Sequence, residues 1–210
     1  MRCLITGFDA FDKFAVNPSE ELVNRLPDAI KVSKDWLNLD HLVLPCSNKK
    51  MWRQLNNAVG SKKEPLILIM TGLASDRDKL CLERFAVNIN DYRIPDNDGH
   101  KPTDTPIVAG GPAGLSPQLP LLRLEKRLSQ KGLNIDISNY AGAYLCNEIY
   151  YKALSTWQKP GKTAILFLHI PHPKQYAKKH HPKWTKEKTL DHFAQAVVDI
   201  VQFSHSWLKG

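Results

Sequence analysis

Two unbroken apolar runs constrain this chain more than anything else in it. Leu66-Ile67-Leu68-Ile69-Met70, bounded by Pro65 and by Thr71-Gly72, has no polar face. Such a strand suits the middle of a sheet that is covered on both sides, the usual position of a parallel strand. Ala164-Ile165-Leu166-Phe167-Leu168-His169-Ile170, closed by Pro171, is a second run of the same kind. Between and around them, helical and strand-like segments alternate. Arg2 to Thr6 reads as a first strand. Asn17-Pro18-Ser19-Glu20-Glu21 opens a helix, with proline and acids in its first turn and Leu22, Val23 and Leu26 as its apolar face. Lys31–Ser33 and Leu39–Pro45 are strand material, and Lys49–Val59 is helical. Leu82–Ile89 alternates as a strand. The Gly- and Pro-rich stretch from Gly99 to Pro120 reads as a surface excursion returning over the sheet. Leu119–Lys131 is amphipathic and stops at Gly132, and Thr189–Trp207 carries the last apolar stripe. The expected architecture is one domain over residues 1–210. It is α/β, a three-layer αβα sandwich on a twisted, mixed but largely parallel sheet.

Composition excludes several classes. No apolar run is long enough to span a bilayer, and the N-terminal piece Cys3-Leu4-Ile5-Thr6 is too short for a signal-peptide core. Four cysteines without paired spacing, Cys3, Cys46, Cys81 and Cys146, fit a reduced, cytoplasmic setting better than a disulfide framework. The formal charge of +8 is concentrated between Lys174 and Lys188, where His180 and His181 accompany six lysines. Such a run attracts phosphates, and the interleaved Tyr176 and Trp184 could stack on bases or anchor the segment on the core. No nucleic-acid-binding motif accompanies it, so a solvated face is the expected reading.

The chemistry gathers in three places. Leu133-Asn134-Ile135-Asp136-Ile137 alternates like a short strand, and Cys146–Trp157 repeats like a helix. The small and turn-forming residues Ser138, Asn139, Ala141, Gly142 and Ala143 join them. Cys146 is thereby expected near a helix N-terminus, where the helix dipole favours thiolate. His169 closes a buried strand, and Glu83-Arg84 re-enters the sheet after Gly72-Leu73-Ala74. Cysteine, histidine and a carboxylate are the parts of a thiol hydrolase. Each also has a plainer use: cysteine as a small hydrophobe, histidine as a structural residue, Glu83 as half of a surface ion pair.

Four ordered blocks carry a resemblance. They are Thr6-Gly7-Phe8-Asp9-Ala10-Phe11 with Asn17-Pro18; Gly72-Leu73-Ala74, Arg77 and Glu83-Arg84-Phe85-Ala86-Val87-Asn88, running on to Asp91, Arg93-Ile94-Pro95-Asp96-Asn97 and Gly99; Ser138-Asn139, Ala141-Gly142, Tyr144-Leu145-Cys146-Asn147 and Tyr151; and His169-Ile170-Pro171 with Pro173 and Gln175. Together they resemble pyroglutamyl-peptidase I (pyrrolidone-carboxylate peptidase), a family of intracellular omega-type cysteine peptidases. The resemblance implies Cys146 as nucleophile, His169 as general base and acid, and Glu83 as the residue that orients the histidine. It places Arg93 at the oxyanion with the backbone amide of Cys146. Phe8 and Phe11 would sandwich the pyrrolidone ring, with Asn17 as a polar contact and Ile94, Tyr144 and Leu145 as walls. It also implies a homo-oligomer, tetramer or dimer, acting on peptides with N-terminal pyroglutamate, with no cofactor and no membrane or nucleic-acid partner.

The chain departs from the family pattern at Asp9-Ala10-Phe11-Asp12-Lys13, which lacks the usual proline and glycines, and at Ala74-Ser75-Asp76, which replaces a glycine-rich turn. Two alternatives stand beside this reading. One is a catalytically silent relative or basic phosphate-binding module using Lys174–Lys188. The other is a metal-dependent hydrolase using His172, His180 and His181, whose spacing has no metal-site signature.

Overall fold

A computed structural model describes residues 1–11, 15–60 and 65–210. Asp12 and Lys13, where the family pattern is lost, lie outside the described residues. The elements follow in chain order as β1 (Arg2–Phe8), α1 (Pro18–Val23), β2 (Ala29–Val32), β3 (Asp35–Asn38), β4 (Asp40–Leu44), α2 (Asn48–Val59), β5 (Leu66–Leu73), β6 (Leu80–Glu83), β7 (Ala86–Val87), β8 (Gly114–Leu115), α3 (Leu121–Gln130), β9 (Ile135–Ser138), α4 (Leu145–Trp157), β10 (Thr163–Ile170), α5 (Pro173–His180) and α6 (Lys186–Leu208).

Six strands form the central sheet in the order β4-β1-β5-β10-β6-β9. The two apolar runs are its middle: β5 and β10 lie side by side and parallel, from Thr163 opposite Leu66 to Ile170 opposite Leu73. All eight residues of β10 are buried. Side chains alternate between faces, and the core divides accordingly. Ile67, Ile69, Leu166 and Leu168 meet α1, α3 and α6 on one side. Leu68, Met70, Ile165 and Phe167 meet α2 and α4 on the other. The expected three-layer α/β sandwich is what the chain forms.

Two features refine the strand assignments. β6 runs antiparallel to β10 and parallel to β9, so this end of the sheet is reversed. The predicted strand 82–89 is also two pieces. Pairing with β9 ends as Arg84 N donates to Ser138 O, and Ala86–Val87 pairs instead with Gly114–Leu115 of the surface excursion. β2 and β3 form a hairpin outside the main sheet, with Trp36 70% exposed on it.

The basic run resolves into α5 and the start of α6. Tyr176 is fully buried, ringed by His180, His181, His192 and Phe193, and Trp184 stacks on His181 at 3.7 Å. The aromatics therefore anchor the segment. Lys179 pairs with Asp78, and Lys186 pairs with Glu21 at 2.7 Å. No helix among the described residues is long and apolar enough to cross a membrane.

Candidate active site

Period-two alternation brings two members of the expected triad, Glu83 and His169, to one face. Gly72 on β5 and His169 on β10 are register partners. Each follows the α4-facing residues of its strand, Met70 and Phe167, by two positions. Cys81 on β6 is the cross-strand partner of His169, and Glu83 lies two residues further on the same face. His169 Nδ1 stands 2.7 Å from Glu83 Oε1, with Glu83 fully buried and His169 5% exposed. The histidine and carboxylate thus approach from antiparallel neighbours rather than from two parallel strand ends.

Cys146 reaches this pair from the opposite layer. It lies in the first turn of α4, after a turn in which Gly142 takes φ of 88°. A Cβ built on Gly72 would fall 2.8 Å from Cys146 Sγ and 3.0 Å from Phe167. Only glycine leaves that space for the sulfur beside His169. No side chain caps α4, so the first-turn N–H groups around Cys146 have no intrahelical partner. Cys146 is half-buried. Dense surroundings and then the charge of Glu83 push its thiol up to about 12, against the smaller opposing pull of Arg77. The resting group is therefore a thiol rather than the thiolate that a helix N-terminus alone would favour, and use as a nucleophile would require a nearby base to take its proton.

Protons can be assigned from the bonding. Arg77 donates a guanidinium N–H to Glu83 Oε1 at 2.6 Å, the same oxygen that faces His169. An oxygen receiving an arginine N–H and sharing a close contact with imidazole acts as a carboxylate acceptor. His169 then carries its proton on Nδ1, which leaves Nε2 as the basic nitrogen. Tyr150 Oη donates to the main-chain carbonyl of Glu83 at 3.1 Å, which ties α4 to the end of β6.

A second cluster adjoins Cys146. Asp91 N donates to Ala143 O at 3.0 Å, the Tyr92 ring packs edge-on against Tyr144 at 4.5 Å, and Tyr144 Oη donates to Pro95 O at 3.2 Å. These three contacts lay residues 91–95 against Ala143 and Tyr144, the turn that leads into α4. Arg93 and Ile94 are both exposed, and among the described residues no ion pair or hydrogen bond holds the Arg93 guanidinium. Phe11 lies 6.2 Å from Tyr144, ring centre to ring centre. Phe8, 2% exposed, and Leu145, 1% exposed, sit in the core behind them.

Asn17 is occupied locally: Oδ1 accepts from Ser19 N and Ser19 Oγ to cap α1, and Nδ2 donates to Asp9 O at 3.0 Å. It shapes the Asp9–Phe11 turn through that carbonyl. Gly7 permits this arrangement, since a Cβ there would fall 2.3 Å from Ser19 O. Arg77 and Gly72 were within the recognised blocks but carried no expected role, because what they do depends on contacts between strands. His180 Nε2 bonds Asp78 O, and among the described residues no group of three His, Cys, Asp or Glu is placed to hold a metal.

Comparison with known proteins follows the same line. The family model described as pyroglutamyl peptidase matches residues 1–203. The chain belongs to the pyroglutamyl peptidase family. It is 38% identical over 178 residues to a pyrrolidone-carboxylate peptidase of Brevibacillus brevis, covering 83% of this chain and 80% of the relative. A Thermosipho melanesiensis pyrrolidone-carboxylate peptidase is 32% identical over 204 residues, 96% of this chain and 98% of its own. Among solved structures, a mutant pyrrolidone carboxyl peptidase from Pyrococcus furiosus superposes with a TM-score of 0.82 at 33% identity, covering 99% of this chain and 100% of that one. Bacillus amyloliquefaciens pyroglutamyl peptidase I gives 0.79 at 31% identity, with 97% and 95% covered. The fold of this family is therefore the fold of the whole chain.

Proposed function

We propose that the chain is a cysteine exopeptidase that hydrolyses the N-terminal pyroglutamyl residue from peptides through a thioester. The observation that carries the proposal is the 2.7 Å approach of Glu83 to His169, beside the glycine against which Cys146 Sγ packs. His169 Nε2 takes the thiol proton as sulfur attacks the pyroglutamyl carbonyl. The first-turn N–H groups of α4 and the Arg93 guanidinium receive the oxyanion. Protonated His169 then gives its proton to the leaving amine, and a water activated by the same nitrogen releases pyroglutamate. Glu83 holds the imidazole tautomer throughout. No metal or organic cofactor is needed for these steps.

The flat neutral lactam would lie among Phe11, Tyr144 and Ile94, with Phe8 and Leu145 as the apolar backing and Asn17 holding the Asp9 turn. A ring without a charged amine calls for aromatic faces and few polar groups. The four cysteines are free, which suits a reducing cytoplasm. We read the enzyme as a homo-oligomer, tetramer or dimer, and the exposed Trp36 hairpin offers apolar surface for such assembly.

Release of a fluorogenic amine from pyroglutamyl amide, beside proline and alanine amides, tests the activity. Wild type should be selective, Cys146→Ala inactive, and a chelator without effect. A folded, reduced wild type that leaves the pyroglutamyl amide intact would overturn the proposal. Salt-sensitive nucleic-acid binding that survives Cys146→Ala would instead favour a basic binding module.

A further inference from the structure

Resting on that reading, we propose that Arg77 is a positioning residue for catalysis: it holds Glu83 as the charged partner of His169 and ties that carboxylate to the segment delivering Cys146. Both halves rest on one fork. One guanidinium nitrogen donates to Glu83 Oε1 at 2.6 Å, and the other donates to Tyr140 O at 3.0 Å. Tyr140 stands six residues before Cys146, in the turn between β9 and α4. A planar fork can fix two acceptors in one plane, which a lysine cannot reproduce.

The carboxylate needs the help. Glu83 is fully buried, and its Oε2 has no hydrogen-bond partner among the described residues. Its Oε1 takes both contacts, from Arg77 at 2.6 Å and from His169 Nδ1 at 2.7 Å, so Arg77 helps set where the oxygen that faces the imidazole lies. Five groups surround it: His169 on β10, Arg77 before β6, Cys81 on β6, and Cys146 and Tyr150 on α4. Burial raises the Cys81, Cys146 and Tyr150 groups, so these three face Glu83 as neutral neighbours. Arg77 is then the permanent cation in the cluster, a quarter exposed and anchored at its outer edge. It touches neither the reacting atoms nor the proposed substrate, so it acts through Glu83 and the Tyr140 turn.

The test compares wild type, Arg77→Met, Arg77→Lys, Glu83→Gln and the Arg77→Met/Glu83→Gln double variant. Turnover of a pyroglutamyl amide is followed across pH, and the His169 imidazole is followed by 15N NMR without substrate. Arg77→Met should lower kcat about 100-fold with KM within about twofold, as expected for a misplaced catalytic group. Its acid limb should move to higher pH, and the His169 Nδ1–H resonance should shift with it. Arg77→Lys should keep the acid limb and lose about tenfold in kcat, since charge remains and the fork does not. In the Glu83→Gln background, Arg77→Met should cost less than threefold.

A folded Arg77→Met with wild-type kcat and pH profile would overturn the proposal. So would an equal loss in Arg77→Met and Arg77→Lys with an unmoved acid limb, or an undiminished Arg77→Met effect in the Glu83→Gln background. If Arg77→Met does not fold, Arg77→Lys decides: a lowered kcat at unchanged KM and acid limb supports the fork, and wild-type behaviour refutes it. Because the imidazole resonance needs no substrate, an absence of pyroglutamyl turnover would sink the proposed activity while leaving the role of Arg77 readable.

Discussion

Two helix beginnings lie on the same side of the sheet and are finished in opposite ways. At α2, Ser47 Oγ accepts from Lys50 N, Asp96 Oδ2 accepts from Asn48 N at 2.9 Å, and Asp98 draws in Ser47 Oγ and Lys50 Nζ at 2.6 Å each. Its free amides and its dipole are answered by protein. At α4 no side chain caps the first turn. The one acid there, Glu148, faces sideways, accepting from Tyr92 Oη and from Asn48 Nδ2 at 2.6 Å each. Asn48 is the first residue of α2, so the acid of the open helix braces the closed one. The difference is one of capping: of these two helices the one that holds the cysteine has no side-chain cap, a condition α3 and α5 share. Each helix also has its thiol. Cys46 precedes α2, where burial and then Asp9 drive it far up; Cys146, in the first turn of α4, is pushed up to about 12 by its dense surroundings and then by Glu83.

The comparison breaks most visibly if the open helix loses its sulfur. Cys146→Ala should lower kcat about 10^6-fold, while Cys46→Ala should leave it within a few-fold; equal losses would erase the distinction. Gly72→Ala comes next. Its new Cβ would press on Cys146 Sγ, and about a 100-fold loss of kcat at nearly constant KM is expected. Wild-type kcat in that variant would mean the sulfur need not sit there.

A smaller effect concerns pH. Cys3 and Cys146 are pushed up to about 12 from an ordinary value near 9, chiefly by burial. Above pH 9 the folded chain keeps these protons while the unfolded chain releases them. Stability should therefore fall as pH rises toward 12, by up to about 1.4 kcal/mol per pH unit for each thiol. Urea titrations of wild type and Cys3→Ala at pH 8 and pH 10.5 measure it, and the variant should show the shallower decline. An identical decline would remove Cys3 from the account.

The gentlest test addresses the closed helix: Ser47→Ala should cost about 1 kcal/mol in stability and leave kcat within about twofold. A large kcat loss would show that α2 capping is coupled to catalysis.

Much of this was visible before any coordinates. β5 and β10 announced themselves because strands buried on both faces have no polar residues to blur the pattern, and Cys146, His169 and Glu83 stand in the recognised blocks. The reversal of β6 and β9 was not visible, since four-residue strands carry no mark of direction. Nor was the division of 82–89, where Phe85 turns outward and pairing passes to a segment nearly thirty residues later. Asn17 stands in the first block, but its bonds to Ser19 and to the Asp9 carbonyl depend on how α1 meets the end of β1. Arg77 stood in plain view six residues before Glu83; its aim was hidden, because the Tyr140 carbonyl arrives from another part of the chain.

The position of β10 also dictates an order of assembly. It is the last strand in sequence and lies between β5 and β6, joining β4-β1-β5 to β6-β9. Until Thr163–Ile170 has left the ribosome, the two halves of the sheet have no seam to meet along. Glu83, Cys146 and His169 therefore meet only once this strand is made, because it completes both the core and the proposed site. A chain cut before residue 163 should neither fold as this domain nor cleave anything.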